Sequence, residues 1–544
     1  MVLSRCVPAR RVEDGDTVKR WRAITGLIFL VLVAYANILG NHFTNWDDEH
    51  LIVRNKAIRT LDIPFILKNF HLSYPPLPVI SHCLDYLFWR LNPVGYHLTD
   101  LIIYALIVLA FFYLCRELIG NSGAAFAAAA LFAVHPLHVE SVAWLSSRKD
   151  GLGMLFYLLS FLVYIRSREE RRRGFLWLSV FFYLCTIWSK SLMVTLPLAL
   201  ILYDMLLAGQ RSGLRRSILN KLPYVLPLLL TALATIFLDP HRDMRFSYHG
   251  GSMYNTFLAM SIVLGDYLRM LILPVNLCSL YLVELPARVT EIRCLLPLAA
   301  IVTILAAAVA TVRRAALFSF CVFWGAASLM PVLQLVPVNV IKADRYLYLP
   351  TAALCLLCGR AVAPALLRPR FRCGTLAACA VVTLLAILTI ARNAVWRDSA
   401  TLWGAVIARN PESADAYNNL GIIYMQKGRY GEAEEILTHA VNLRPDFASA
   451  HNNLANVYRA AGRYDEALEE FNKAMGLTHD AVYSANVYTG IGMVHEARGE
   501  YGKALEAYEQ AVRLNPVYLD DSLLIEHRAI CRNKMRSGKI TLPQ

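Results

Sequence analysis

The residues best suited to chemistry lie in four short polar groups within a mostly apolar stretch of the chain. The first group is a pair of adjacent carboxylates, Asp47 and Asp48, which follows the first apolar run. A carboxylate at this place can take the proton of an acceptor hydroxyl, or bind a metal ion together with its neighbour. A solvated loop would show the same pair, so this signal is weak on its own.

The second group lies in the segment FAVHPLHVESVAWLSSRKDGL at 132–152. It contains two histidines, one carboxylate and two cations. These residues are His135, His138, Glu140, Arg148 and Lys149. The His-x-x-His spacing is compatible with zinc, but no third strong ligand follows at the spacing of a metalloenzyme. We therefore predict no metal site here and favour a polar pocket that holds a phosphate and orients an acid.

The third and fourth groups add further cations. Lys190 lies among serines at a tight turn between two apolar runs, and Asp344 and Arg345 precede Tyr346 and Tyr348. A lysine at such a turn suits an anionic headgroup, although a lysine that snorkels to the membrane interface would look alike. An arginine can grip a phosphate with two parallel hydrogen bonds. Together the groups predict a site for an anionic ligand.

The elements that must position these groups are predicted to be membrane helices. The chain has 544 residues, of which 57% are hydrophobic and 17% are charged. Soluble domains average roughly 45–50% apolar and about 25% charged residues. The composition excludes a disordered chain, a collagen and a small disulfide scaffold. It predicts an all-α, polytopic protein of the lipid bilayer.

The distribution of basic residues explains the net charge of +14. In a soluble protein such an excess would suggest a nucleic-acid partner. Here the basic residues cluster in short segments between apolar runs, at 1–22, 166–173, 209–221, 313–314 and 368–372. By the positive-inside rule these segments are cytoplasmic, and no nucleic-acid partner is predicted.

About eleven apolar runs are candidate transmembrane helices, and a bilayer requires about 20 residues for each. They lie near 23–40, 98–115, 122–136, 151–165, 175–188, 192–207, 222–238, 295–312, 315–333, 350–366 and 374–391. With the basic segments inside, this threading places 41–97, 137–149, 239–293 and 335–349 outside, together with the polar tail. All four polar groups are then expected on one face of the membrane.

Two segments leave alternatives open. Residues 256–273 are apolar enough to span, and a span there would move the tail to the other side of the membrane. Asp266 and Arg269 within the segment favour an interfacial or re-entrant helix. The N-terminal region, with Ala34-Tyr35-Ala36, also resembles a cleavable signal peptide. Cleavage would leave residue 41 onwards on the same side.

The polar tail, 393–544, contains an internal repeat. The segment 411–444 recurs as 445–478, and a third copy at 482–516 carries three extra residues. The 34-residue period and the pattern of small and large residues match the tetratricopeptide repeat (TPR). We therefore predict two domains, an apolar one at 1–392 and a TPR domain. The concave face of a TPR stack usually binds an extended peptide or protein, and a structural or oligomerisation role is the alternative.

The combination resembles the transmembrane and tetratricopeptide repeat O-mannosyltransferase family, or a bacterial relative of it. More broadly it is similar to the GT-C superfamily of polyprenyl-phosphate-sugar glycosyltransferases. The resemblance rests on WDD at 46–48, FAVHPLHVESVAW with RKD at 132–150, YLRMLILPVNL at 267–277 and ADRYLYLP at 343–350. The repeat tail completes it, so that the resemblance covers nearly the whole chain.

The resemblance implies a multi-span GT-C core with a large first outer loop at 41–97. The donor would be a polyprenyl-phosphate-linked sugar, with mannose as the sugar of the eukaryotic family. The acceptor would be a hydroxyl of a protein or glycan, recruited by the TPRs. Asp47 or Asp48 would act as the general base. Basic groups would hold the donor phosphate, with Arg345 as the best candidate and Lys190 and the two histidines as weaker ones.

The resemblance also implies an integral, multi-pass membrane protein. In a bacterium it would lie in the inner membrane with site and repeats in the periplasm, and in a eukaryote in the ER membrane facing the lumen. No cofactor is predicted, and the need for a divalent cation stays open. A transporter for a lipid-linked sugar would line a mid-membrane path with polar residues, whereas these cluster at one face. A non-enzymatic TPR scaffold for membrane assembly would need far fewer spans.

Overall fold

The structure is a computed structural model. It describes residues 14–68, 75–208, 213–238, 247–367, 372–478, 480–516 and 522–537. Every regular element within these ranges is a helix, so the predicted all-α fold class is confirmed. The chain divides into two compact units, Met1–Asp398 and Ser399–Gln544. Each unit has its own packing.

The first unit contains the helices that bear on the polar groups. They are α1 (Asp14–Tyr35), α2 (Ile63–Lys68), α3 (Pro76–Trp89), α4 (Pro93–Ile119), α5 (Ser122–Ala133), α6 (Val139–Ala143), α7 (Arg148–Glu170), α8 (Arg173–Ile187), α9 (Leu196–Leu206), α10 (Leu214–Leu219), α11 (Val225–Leu238), α12 (Met253–Ile272), α13 (Ile292–Ala310), α14 (Ala316–Leu329), α15 (Tyr348–Leu367) and α16 (Arg372–Val395).

Local sequence signals define the ends of the longest of these helices. In α4, the side chain of Asn92 accepts a hydrogen bond from the Val94 N–H and Pro93 occupies the first turn. The helix stops at Gly120, whose φ of 72° is left-handed and suits glycine. The following helix, α5, is rich in alanine and packs closely on α15. A Cβ at Gly359 would lie 2.5 Å from the carbonyl oxygen of Ala124, so only glycine allows this approach.

The apolar helices make the chain a multi-pass membrane protein. Among the described residues, six helices are long and apolar enough to cross a membrane, or seven if a bent pair counts as one span. That pair is α5 with the segment Pro136–Ala143, which meet at 54°. Four further apolar helices are shorter, with 10–17 residues. Each of the eleven predicted runs coincides largely with a helix.

Helix α12 corresponds to the segment for which two placements were open. It has 20 residues and passes the length and hydropathy criteria for a span. Contacts near both of its ends, however, reach one segment, 335–343. Before the helix, the ring of His249 lies 3.3 Å from the Val338 carbonyl, and near its end Tyr267 accepts from the Ala343 N–H at 3.2 Å. The interfacial placement stays a prediction, which these contacts favour.

The predicted first outer loop, 41–97, contains the short helices α2 and α3. Proline lies in the first turn of α3, where its missing N–H costs no hydrogen bond. One face of α3 buries Val79, His82 and Asp85, while Leu87 and Phe88 on the other face are exposed. This amphipathic pattern is typical of a helix that lies on a membrane surface.

The second unit consists of paired antiparallel helices. They are α17 (Ser399–Arg409), α18 (Ala414–Gln426), α19 (Tyr430–Leu443), α20 (Ala448–Ala460), α21 (Tyr464–Gly476), α22 (Ala481–Ala497), α23 (Tyr501–Leu514) and α24 (Ser522–Arg536). Gly428, Gly462 and Gly499 have left-handed φ values of 70–77° at the turns within the pairs. Phe471 packs so closely on Gly490 that a Cβ there would lie 2.4 Å from its ring.

Candidate active site

Asp48 is a buried anchor for the first outer loop. Its Oδ2 accepts hydrogen bonds from the N–H and the hydroxyl of Thr44, both at 2.9 Å. Its Oδ1 accepts from the N–H of Ser146 at 2.9 Å and from the Ser146 hydroxyl. Burial raises the pKa of Asp48, and these hydrogen bonds lower it in part. The carboxylate therefore ties the first polar group to the second.

Asp47 has a different environment from its neighbour. It is half-buried, whereas Asp48 is only 1% exposed. Its backbone carbonyl accepts from the Leu51 N–H at 2.9 Å, which starts a short helical turn. The Asp47 carboxylate interacts electrostatically with Lys149. Of the two predicted bases, Asp47 is thus the one with solvent access and a nearby cation.

Both predicted histidines are buried in an aromatic layer. The ring of His138 lies 4.2 Å from that of Phe132 and 4.7 Å from that of Tyr348, and its Nδ1 is 2.9 Å from the Tyr104 hydroxyl. His135 is 4% exposed and its Nδ1 accepts from the Leu137 N–H. Among the described residues, no group of three His, Cys, Asp or Glu side chains is arranged to hold a metal ion. These contacts favour a packing role, and a phosphate-binding role for the histidines stays a prediction.

Glu140 holds Arg345, which joins the second polar group to the fourth. The Glu140 carboxylate, 1% exposed, accepts from the Arg345 N–H at 3.0 Å and also pairs with its guanidinium. Burial lowers the pKa of Arg345, but the charges of Glu140, Tyr346 and Asp150 and the hydrogen bond to Glu140 together outweigh it, so the pKa is raised and the side chain stays cationic. The guanidinium lies over the rings of Trp144 and Tyr346, at 5.6 and 5.4 Å.

Arg148 serves a structural network that sequence reasoning missed. It is 1% exposed, and its Nε lies 2.6 Å from Asp100 while its Nη1 pairs with Asp85. Its Nη2 donates to the Tyr96 carbonyl at 2.9 Å. Arg148 thereby connects α7 to α3 and α4. An isolated acidic residue in an apolar run, such as Asp100, is costly without a partner and was the available signal.

Lys190 pairs with Asp150, which joins the third polar group to the end of the second. The Lys190 Nζ lies 2.8 Å from the Asp150 Oδ1. The lysine stem packs on α7, where a Cβ at Gly153 would lie 2.8 Å from the Lys190 Cβ. Lys149 is half-buried and interacts electrostatically with Lys190, Asp150 and Arg345. Three cations therefore gather at one place.

Asp344, the residue before Arg345, is held by side chains from other parts of the first unit. It is 1% exposed, accepts from the Tyr281 hydroxyl and lies 3.3 Å from Arg392 of α16. Burial is the main cause that raises the pKa of Asp344, to about 7. Tyr281 and Arg392 were not among the predicted site residues.

A polar cleft and an apolar cavity lie side by side near these cations. Asp150, Lys190 and Arg345 line the polar cleft together with Val332 and Leu349. The apolar cavity, of about 580 Å³, begins at the adjoining residues Leu333 and Pro350. Its walls come from α9, α12, α13, α14 and α15. The polarity of the two adjoining spaces suits an amphiphile with an anionic head and a hydrocarbon tail.

The chain is similar to several known proteins. Family models of the tetratricopeptide repeat match residues 446–516 and 391–441, which confirms the predicted repeats. A protein O-mannosyl-transferase of Caenorhabditis elegans, F38B6.6, is 26% identical over 465 residues, which cover 81% of this chain and 66% of that protein. The human protein O-mannosyl-transferase TMTC3 is 25% identical over 469 residues, covering 74% of this chain and 49% of that protein.

The chain spans about half to two thirds of the length of these two curated relatives. Among solved structures, the crystal structure of ArnT from Cupriavidus metallidurans bound to undecaprenyl phosphate aligns with 91% of this chain and 80% of that chain, at 16% identity and a TM-score of 0.37. The resemblance predicted from the sequence motifs is confirmed by the sequence relatives. Over most of its length, the chain is similar to the transmembrane and tetratricopeptide repeat O-mannosyl-transferases.

Proposed function

We propose that the chain is a multi-pass membrane glycosyltransferase. It moves a hexose, with mannose as the first candidate, from a polyprenyl-phosphate donor to a hydroxyl of a protein or glycan acceptor. The observation that carries this proposal is the presence of Lys190 and Arg345 in a polar cleft beside a large apolar cavity, with Lys149 close enough to interact electrostatically with both. Such a pairing suits a lipid phosphate, whose head is anionic and whose tail is hydrocarbon. The names of the relatives agree with this activity.

The donor phosphate is assigned to Arg345 and Lys190. Glu140 accepts from the backbone N–H of Arg345 and pairs with one nitrogen of its guanidinium, so the remaining guanidinium N–H groups are available to a ligand. A guanidinium can give two parallel hydrogen bonds to a phosphate. Lys190 adds a point charge at the wall of the same cleft. The first isoprene units of the lipid would lie in the apolar cavity.

Asp47 is assigned as the general base. Asp48 accepts four hydrogen bonds and would break its own support if it took a proton. The loop does not depend on the Asp47 carboxylate for those hydrogen bonds, and Asp47 is half-buried and interacts electrostatically with Lys149. In the transfer step, the acceptor oxygen attacks the anomeric carbon while Asp47 takes the hydroxyl proton. The bond from that carbon to the phosphate oxygen breaks, and polyprenyl phosphate leaves with inversion at the sugar.

Charge stabilisation is assigned to side chains of the chain itself. Negative charge grows on the leaving phosphate, and cations fixed nearby before the reaction lower its energy. Arg345 and Lys190 supply this charge, and no step is routed through a metal ion. The TPR unit is proposed to recruit the acceptor or a partner protein, because stacked repeats offer a concave surface for an extended chain. The site and the repeats are proposed to face the periplasm or the ER lumen.

A transfer assay tests the proposal. The full-length protein is reconstituted in lipid vesicles with radiolabelled polyprenyl-phosphate-mannose and a panel of hydroxyl-containing peptides and glycans. We expect transfer by the wild type and a loss of about 10²-fold or more in Asp47→Asn, the usual range for a lost general base. Glu49→Gln is the matched control, because this nearby carboxylate pairs with the exposed Arg54 in the first loop.

Two results would overturn the proposal. The first is that the wild type transfers sugar to no acceptor of the panel, although a thermal denaturation curve shows that the protein is folded. The second is transfer that is equally fast in Asp47→Asn and Glu49→Gln. A chelator added to the wild type, followed by restoration of Mg²⁺ or Mn²⁺, measures whether a divalent cation is required.

A further inference from the structure

Three tryptophans that the proposed reaction does not use lie together beside its residues. Trp46, Trp144 and Trp396 come from three distant parts of the chain. Their ring centroids are 5.2, 5.5 and 6.1 Å apart, and their planes differ by only 9–27°. Trp144 and Trp396 are 3% and 0% exposed, and Trp46 is half-buried. We call these three residues the tryptophan cluster.

The cluster contacts both sides of the proposed reaction. Trp46 directly precedes Asp47, so the position of its ring constrains the backbone that carries the base. The Arg345 guanidinium lies over the ring of Trp144 at 5.6 Å, which is a cation–π contact. One rigid aromatic body therefore lies next to both the base and the phosphate ligand.

Trp396 is held in place by the backbone around it. It follows the last turn of α16, where the Asn393 side chain donates to the Ala34 carbonyl at 2.8 Å. On its other side, the Arg397 carbonyl accepts from the His42 N–H at 2.8 Å. These bonds connect the end of α16 to the segment that leads to Asp47. Trp396 is thus a firm support for the other two rings.

The buried indoles of the cluster act through their ring surfaces. The Nε1 atoms of Trp144 and Trp396 are buried and have no hydrogen-bond partner among the described residues. Tryptophan N–H groups usually find a partner when buried. Their rings instead stack on one another, which fixes distance and tilt. A phenylalanine can keep part of this stacking without the loss of a hydrogen bond.

We propose that the tryptophan cluster is a positioning element that sets the separation between Asp47 and Arg345, with Trp396 as its anchor. None of the three rings is assigned a contact with the donor's reacting atoms. The inference rests on the proposed function, because it takes Asp47 as the base and Arg345 as the phosphate ligand. A misplacement of about 1 Å in such a pair can slow transfer by about 10²-fold.

The first test compares Trp396→Leu with Trp324→Leu in the reconstituted full chain. Trp324 is equally buried and also lies among aromatic rings, those of Tyr157 and Phe320, but it is outside the cluster. For Trp396→Leu we expect kcat to fall by about 10- to 100-fold, with a smaller change in the donor KM. Trp396→Phe should restore most of kcat. Trp324→Leu should keep the wild-type kcat per folded molecule.

The second test does not depend on sugar transfer. Hydrogen exchange measures how often the amides of Thr44 and Leu51 are exposed. The Thr44 N–H donates to the Asp48 carboxylate and the Leu51 N–H donates to the Asp47 carbonyl. We expect these amides to exchange at least about tenfold faster in Trp396→Leu, and at the wild-type rate in Trp324→Leu. If the wild type transfers no sugar, the proposed function fails and exchange still decides the role of the cluster. Unchanged exchange in Trp396→Leu, or an equal loss of kcat in both leucine variants, overturns the inference.

Discussion

Asparagine substitutions at Asp47 and Asp48 should have different effects: the first should lower turnover, and the second should lower the stability of the protein. Asp48 accepts two hydrogen bonds on each carboxylate oxygen, from Thr44 and Ser146. An asparagine keeps one accepting oxygen and turns an NH₂ group toward the other two donors. The hydroxyl of that pair can rotate to accept from the NH₂ group, but the backbone N–H is left unpaired, so Asp48→Asn should lose about 1–3 kcal/mol. That is a measurable part of a typical stability of about 5–15 kcal/mol.

Asp47→Asn should change the rate and leave stability nearly unaltered. The four hydrogen bonds that hold the loop are accepted by Asp48, so they stay intact in this variant. Loss of a general base slows turnover by about 10²–10⁴-fold, which corresponds to about 3–5.5 kcal/mol in the barrier. The thermal midpoint should stay close to that of the wild type.

One set of measurements separates the two roles. Wild type, both asparagine variants and the Glu49→Gln control are compared by thermal denaturation in one lipid composition, and kcat is expressed per folded molecule. We expect a lowered midpoint only for Asp48→Asn and a large loss of kcat per folded molecule for Asp47→Asn. A stable Asp48→Asn without turnover, together with an active Asp47→Asn, would show that the roles are reversed. Full turnover in both would refute a base in this pair.

Three further predictions concern stability. Arg148→Met leaves two buried carboxylates without their cation and should cost about 3–5 kcal/mol, whereas Arg54→Met, in an exposed pair, should cost about 0–1 kcal/mol by the same denaturation assay. Gly490→Ala should make the repeats more sensitive to limited proteolysis, because its Cβ would meet Phe471, and Gly502→Ala, with open space around it, should not. The raised pKa of Asp344, about 7, means that the folded state binds its proton more tightly than the unfolded state. Its contribution to stability is therefore full below about pH 4 and is lost as the pH rises through about 7, and Asp344→Asn should flatten that part of the midpoint–pH curve.

The sequence was sufficient to find the polar groups because charged residues in an apolar chain are costly and need partners. The structure brings all four groups together within the first unit. Asp48 bonds to Ser146, Glu140 to Arg345, and Asp150 to Lys190, and each contact joins two groups. The TPR unit was readable for another reason, since its period repeats within the chain itself.

The roles within the groups could not be read, because they depend on direction in three dimensions. Arg148, Lys149 and Asp150 are consecutive, but successive side chains on a helix point about 100° apart. Arg148 therefore turns toward α3 and α4, while Asp150 turns toward Lys190. The partners Asp85 and Asp100 lie 63 and 48 residues from Arg148 in the chain. No spacing rule connects such residues before the fold is known.

The balance of charge in the cleft bears on how the proposed transfer would proceed. Three cations, Lys149, Lys190 and Arg345, face two buried carboxylates, Glu140 and Asp150. This leaves a surplus of positive charge, which the Asp47 carboxylate offsets in part through its interaction with Lys149. When Asp47 takes the acceptor's proton, it becomes neutral, and the surplus acts on the phosphate oxygen that gains negative charge in the same step. The base and the phosphate ligands are thus coupled through charge as well as through the tryptophan cluster, so a neutral residue at position 47 should both remove the base and bind the donor more tightly.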